Sequence, residues 1–292
     1  MRGSEEDVTD HGLIERIDAQ RRAALASGAL GPIETRTETV VDQGIPFILR
    51  TVSSLAQKQA AQRRARASGH DADPFLPPYE AELHVGPVRP DHVALLNKFP
   101  VLEGHLLVVT REYAPQHEPL TRADCEAWLR TMAAMDGLAF FNSDTMAGAS
   151  QPHRHLQCVV PREPLPISQL LDAGGHQGAP FVHACAPFRA EWLEDPVVGA
   201  QGFHDEYRAL LVRAGLGDPE AGELAGPYNL AATRELMWLV PRRAEHCGPV
   251  GVNALGFAGM LLAANAEQAE YFRREGPLRI LDAVAGLPEA TQ

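Results

Sequence analysis

Three side chains in one short run have the types and spacing for chemistry. His153, His155 and Gln157 lie within the segment Asn142 to Pro161, NSDTMAGASQPHRHLQCVVP. Cys158, Val159 and Val160 follow, and β-branched residues favour an extended chain. Successive side chains of a strand alternate faces, so the two imidazoles and the amide share one surface while Arg154, Leu156 and Cys158 point the other way. Just upstream, Gly148, Ala149, Ser150 and Gln151 form a loop of small residues. Its backbone N–H groups can approach an anion closely, with the Ser hydroxyl as a further donor. A phosphate-sized cradle delivered to histidines is what attack by imidazole on phosphorus requires. An H-x-H pair on a strand is also a good pair of metal ligands, but the Gly/Ser loop favours phosphate.

The rest of the chain must hold this run in place. With 292 residues, 45% of them hydrophobic, it can bury a sizeable core in one large domain or two small ones. Thirty-eight acidic residues against 26 basic ones give a net charge of −12, which argues against general binding to nucleic acid or an anionic membrane. A polyphosphate must then be met by locally placed cations and N–H groups. Cys125, Cys158, Cys185 and Cys247 form no C-x-x-C pair, so free thiols in a reducing cytoplasm are expected. No apolar run reaches the ~20 residues of a membrane span, and MRGSEEDVTD lacks a signal pattern. A soluble, cytoplasmic protein is expected.

Local patterns place the elements. Leu13, Ile14, Ile17, Ala24 and Leu25 mark an amphipathic helix that Ser27 and Gly28 end. Thr37 to Val41 and Phe47 to Val52 read as a hairpin around Asp42, Gln43 and Gly44. Residues 59–78 read as a mobile loop or short exposed helix, with Arg63, Arg64 and Arg66 as a solvated charge run. Strands are expected at Glu82–Val85, Val93–Asn97 and His105–Thr110, the first broken by Gly86-Pro87. Thr121 and Asp124 resemble a capping box opening a helix that Gly137 closes. Leu138–Asn142 is a further strand and Phe203–Ala214 a helix. Met237–Val240 is a strand closed by Pro241, and Arg242 follows where a cation can meet a phosphate. Gly251, Gly256 and Gly259 lack the G-x-G-x-x-G spacing of a dinucleotide loop. Many short strands with a few substantial helices define an α+β protein, largely antiparallel, with helices packed on the sheet.

The segment GASQPHRHLQ closely resembles the active-site signature of the diadenosine tetraphosphate phosphorylases, or ATP adenylyltransferases, of the histidine triad and galactose-1-phosphate uridylyltransferase superfamily. LNKFP and, within residues 228–262, YN, LVPR and NALGFAG extend the resemblance over most of the chain. It implies a histidine triad-like fold and one catalytic unit over residues 1–292. It also implies phosphorolysis of dinucleoside polyphosphates by inorganic phosphate through an adenylyl-histidine. By motif position His155 is the nucleophile, with His153 and Gln157 beside it in the catalytic group. Gln157 stands where the related hydrolases carry a third histidine. Substrate contacts are implied at Lys58, Asn97, Lys98, Asn142, Gly148, Ala149, Ser150, Gln151, Asn229, Thr233, Met237 and Arg242. The order Leu236-Met237-Trp238 departs from the tryptophan-methionine order expected there. No protein-bound cofactor or metal is implied, and magnesium would arrive with the nucleotide. Three alternatives stand beside this reading. LNKFP and LGFAG argue against a hexose-phosphate uridylyltransferase, and Gln157 argues against a dinucleotide hydrolase. A metal-binding module on the H-x-H pair leaves the Gly/Ser loop unexplained.

Overall fold

The computed structural model describes residues 10–53, 73–166, 169–170 and 179–287. Lys58, Arg63, Arg64, Arg66 and most of the 59–78 segment lie outside the described residues. Helix α1 (Asp10–Ser27) buries Leu13, Ile17 and Ala24 and ends at Gly28, whose φ of 78° is a left-handed stop. Strands β1 (Thr35–Asp42) and β2 (Ile45–Val52) pair around Gln43-Gly44. Both turn residues have positive φ, 48° and 87°, the two-residue turn whose twist matches that of the strands. Asp42, expected in the turn, is the last paired strand residue.

Next come β3 (His84–Val88), β4 (His92–Leu96), β5 (Leu106–Thr110), α2 (Arg122–Ala134), β6 (Leu138–Asn142) and β7 (His155–Val159). After them follow β8 (Ala184–Pro187), α3 (Glu191–Glu194), α4 (Pro196–Arg213), β9 (Tyr228–Ala232) and β10 (Leu236–Pro241). Strands β3 to β10 make one eight-stranded sheet in the order β3-β4-β5-β7-β6-β9-β10-β8, with every neighbouring pair antiparallel. Strands β11 (His246–Cys247) and β12 (Val250–Gly251) form a small ribbon. Helix α5 (Ala254–Phe257) leads to β13 (Met260–Ala263), which joins β2 in parallel, and α6 (Ala266–Glu275) and α7 (Pro277–Val284) complete the fold.

Three local expectations are corrected. β3 runs through Gly86-Pro87 rather than breaking there, because it is an edge strand with a register shift between His84 and Gly86. At an edge a proline's missing N–H leaves no ladder partner unpaired. α2 does open on the Thr121 capping box, but it ends at Ala134. Gly137 serves close packing instead, since a Cβ there would lie 2.1 Å from the Val159 carbonyl oxygen. α4 starts at Pro196 rather than Phe203, with the Asp195 carboxylate accepting from Val197 and Val198 N–H and proline at the first turn.

Alternation along the sheet strands divides the core in two. Leu156, Cys158, Val108 and Phe141 pack with Trp128 of α2 and Phe203 and Tyr207 of α4 on one face. The opposite face carries two separate apolar patches. Val159, Phe140 and Trp238 pack with Phe257 and Phe272, while Val93, Leu95 and Val109 pack with Phe75. His155 and Gln157 share the parity of Val159 and stand between these patches. Among the described residues, no helix is long and apolar enough to cross a membrane.

Candidate active site

β7 pairs with β5 through Val109 opposite His155 and Leu107 opposite Gln157, but its pairing with β6 stops at Phe140 opposite Gln157. The side chain of Gln116, 2% exposed, takes over where that ladder ends. Its Oε1 accepts from His155 N–H at 2.8 Å, and its Nε2 donates to the Asn142 carbonyl at 2.6 Å and the His155 carbonyl at 3.3 Å. One amide thus stands in for a peptide group between two separating strands.

The His155 ring is oriented by its own strand. Nδ1 lies 2.8 Å from the carbonyl oxygen of His153. A carbonyl only accepts, so Nδ1 carries the proton and Nε2 keeps its lone pair. Burial lowers the imidazole's pKa further than the bond to His153 raises it, so the ring is neutral near pH 7. His153 occupies the same face as alternation requires, but it is fully buried. Its Nδ1 sits 2.7 Å from Asp73 Oδ2, its Nε2 2.8 Å from Thr110 Oγ1 and 3.0 Å from the Thr110 carbonyl, and the Phe75 and Tyr113 rings pack against it. The carbonyl of His153 thus orients the His155 ring, while the His153 ring is held by Asp73 and Thr110. Both His153 nitrogens and His155 Nδ1 are therefore engaged within the protein.

His155 and Gln157 open onto a cleft of about 360 Å³. Phe75, Tyr79, Leu95 and Phe99 form an apolar wall, Ser150 and Gln151 stand on the polar side, and Asn97 and Lys98 lie at the rim. Lys98 Nζ is 2.6 Å from Glu80 Oε1, with both side chains substantially exposed. Gly148, at φ 90°, ends the short 3-10 turn Thr145–Ala147. Its N–H donates to Thr145 O, and that of Ala149 to Asp144 O. Those two amides are committed to the turn. Among the described residues, Ser150 and Gln151 N–H have no protein acceptor, and both residues line the cleft.

Asn142, Asn229 and Arg242 are buried beneath this loop. Asn142 Oδ1 accepts from Asn229 Nδ2 at 2.8 Å and Ala254 N–H at 3.0 Å. Asn229 Oδ1 in turn accepts from Arg242 Nη1 at 2.6 Å. All five Arg242 N–H groups have acceptors: Asn229 Oδ1 and the carbonyls of Val284, Ala147, Ala244 and Glu245. Burial lowers its pKa to about 10, still a cation at pH 7. Arg242 is thus an internal buttress in this structure, and Asn229 is bound into the same network. Thr233 and Met237 lie at the far end of the β9–β10 pair. Asn229 is level with Asn142, whereas Ala232 is level with Ala139, so β9 runs away from the site. Thr233 Oγ1 accepts from Glu235 and Leu236 N–H in the β9–β10 turn, and Met237 is buried in the helix-side core.

Sequence reasoning missed Asp73, Phe75 and Gln116, which lie in irregular segments without periodicity, and His105, which reads as an ordinary strand residue. His105 Nε2 lies 2.9 Å from Gln157 Oε1 and its Nδ1 3.1 Å from Asn97 Nδ2. Behind the strand, Arg154 Nη1 donates to Asp124 Oδ2 at 2.9 Å, and His92 Nε2 lies 2.9 Å from Asp124 Oδ1. This ties the back of β7 to α2.

The large antiparallel sheet thus presents a neutral histidine and a glutamine beside a small-residue loop. The model of the Ap4A phosphorylase N-terminal domain matches residues 4–173, and that of the ATP adenylyltransferase C-terminal domain matches residues 177–286. The chain belongs to this Ap4A phosphorylase and ATP adenylyltransferase family. Diadenosine 5',5'''-P1,P4-tetraphosphate phosphorylase 2 of Saccharomyces cerevisiae is 29% identical, over 90% of each chain. Protein APA1 of the same yeast is 29% identical over 86% of each. The crystal structure of yeast Ap4A phosphorylase Apa2 in complex with Ap4A shares the fold, with a TM-score of 0.77 at 22% identity over 96% of this chain and 99% of that one. The complex of Apa2 with AMP gives a TM-score of 0.75 at 23% identity, covering 97% and 99%.

Proposed function

We propose that the chain cleaves diadenosine tetraphosphate and related dinucleoside polyphosphates with inorganic phosphate, yielding ADP and ATP through an adenylyl group on His155. The carrying observation is the His155 ring, whose Nδ1 is held by the His153 carbonyl so that Nε2 is the nucleophilic nitrogen at the cleft. Nε2 attacks the phosphorus of one AMP unit, an N–P bond forms, and ATP leaves with the electrons of the broken P–O bond. Phosphate then attacks the same phosphorus, the N–P bond breaks back onto the ring, and ADP departs, so two easier displacements replace one.

Negative charge on the phosphoryl oxygens is met by Gln157, Ser150, Gln151 and Lys98. Polyphosphate entry displaces Glu80 from Lys98. Gln157 has no titratable proton near neutrality, which suits attack by an anionic phosphate better than attack by water. The apolar wall of Phe75 and Tyr79 suits a nucleobase. In this reading Lys58 adds a further substrate cation, magnesium comes with the nucleotide, and the protein works in the cytoplasm, in keeping with its four free cysteines.

The test is product analysis of Ap4A with and without phosphate, for wild type and His155→Ala. Phosphate-dependent ADP plus ATP, absent in the mutant, is expected. AMP plus ATP without a phosphate requirement would instead make the protein a hydrolase.

A further inference from the structure

A hydrogen-bond chain of defined polarity runs from the rim of the cleft to Gln157. It begins at the backbone N–H of Phe99, which can only donate and lies 3.1 Å from Asn97 Oδ1. That assigns the Asn97 amide, so its Nδ2 donates to His105 Nδ1 at 3.1 Å. A neutral imidazole accepting at Nδ1 carries its proton on Nε2. This proton meets Gln157 Oε1 at 2.9 Å. The Gln157 oxygen is therefore the accepting end, and among the described residues its Nε2 has no acceptor. Each link follows from the one before it, and the first is a main-chain group with no choice of role.

We propose that His105 is a positioning residue: its Nε2–H, oriented by Asn97, locks the Gln157 amide with its NH₂ toward the phosphoryl oxygens at His155. This rests on the reaction proposed above and deepens it. If the amide flipped, Gln157 would present an oxygen lone pair to an anionic phosphoryl group, turning attraction into repulsion. Burial, with a smaller contribution from His155, lowers the His105 pKa to about 4, so the polarity of the chain does not reverse near neutral pH. Asn97 then acts on the reaction through His105, which gives the LNKFP turn a role distinct from direct substrate contact. The arrangement also makes Gln157 a donor only, with no means of taking a proton from water.

The test is a double-mutant cycle of His105→Phe and Gln157→Ala, reading kcat and KM for Ap4A phosphorolysis. His105→Phe is expected to lower kcat about ten-fold, the worth of one well-placed hydrogen bond, with KM changed less than about two-fold. In the Gln157→Ala background the same substitution is expected to cost nothing further. An equal loss in both backgrounds, or no loss in either, overturns the proposal. Nitrogen-15 shifts of the His105 ring in the wild-type protein provide an arm that needs neither substrate nor a folded variant. A neutral Nε2–H tautomer from about pH 6 to 8 is expected. An Nδ1–H tautomer, or a ring protonated at pH 6, overturns the proposal whether or not Ap4A is the substrate.

Discussion

Replacing Gln116 with alanine removes the amide that bridges β6 and β7 beside the nucleophile. Three hydrogen bonds disappear, at 2.6, 2.8 and 3.3 Å, and the first two are the strong ones. Their loss strands the His155 N–H and the Asn142 carbonyl, each on a residue no more than 3% exposed. A buried orphaned polar group costs about 1–3 kcal/mol. Two of them, partly relieved by water entering from the cleft, sum to roughly 3 kcal/mol of lost stability. His155 loses its backbone anchor at the same time, and an ångström of misplacement at a nucleophile costs on the order of 100-fold in rate. Urea unfolding at pH 7 measures the first effect from the midpoint and slope, and kcat for Ap4A phosphorolysis measures the second. Gln116→Glu is the sharper companion. It preserves volume and the acceptor for His155 N–H but sets an oxygen against the Asn142 carbonyl, so it is expected to be at least as damaging. If Gln116→Ala changed stability by less than about 0.5 kcal/mol and left kcat intact, the amide would not be the splice described, because so small a change is typical of an uninvolved surface position.

Arg242→Met is expected to cost about 3 kcal/mol or more, since several buried acceptors lose their donor at once, while the KM for phosphate in the folded protein stays within about three-fold of wild type. A large rise in that KM would return Arg242 to the phosphate site. Stability also depends on His105, whose folded pKa of about 4 lies below the usual 6.5. The unfolded chain takes up this proton first, so the contribution is complete above pH 6.5 and is lost as pH falls toward 4, by at most about 3 kcal/mol. Urea midpoints compared at pH 7 and pH 5 are expected to fall less for His105→Phe than for wild type, and parallel losses would refute the assignment.

The element pattern and the chemical centre could be read along the chain, because both rest on short-range rules. Period-two alternation put His155 and Gln157 on one face of β7, with His153 in the extended run just before it, and the turn residues Gln43 and Gly44 and the Thr121 cap depend on neighbours only a few positions away. The loop over residues 148–151 was only half legible: glycine and serine signalled it, but the hydrogen bonds of the 3-10 turn decided that, among the described residues, Ser150 and Gln151 rather than Gly148 and Ala149 keep amides without a protein acceptor. What the tertiary structure alone decided is which polar residues line the cleft and which are bonded within the core. It buries Arg242 and Asn229 against Ala147 and Asn142. Gln116 and His105 carry no local signal, since their partners lie 39 and 52 residues away in sequence. A hydrogen-bond donor is chemically the same in a cleft and in a core; only the path of the strands across the sheet determines what it meets.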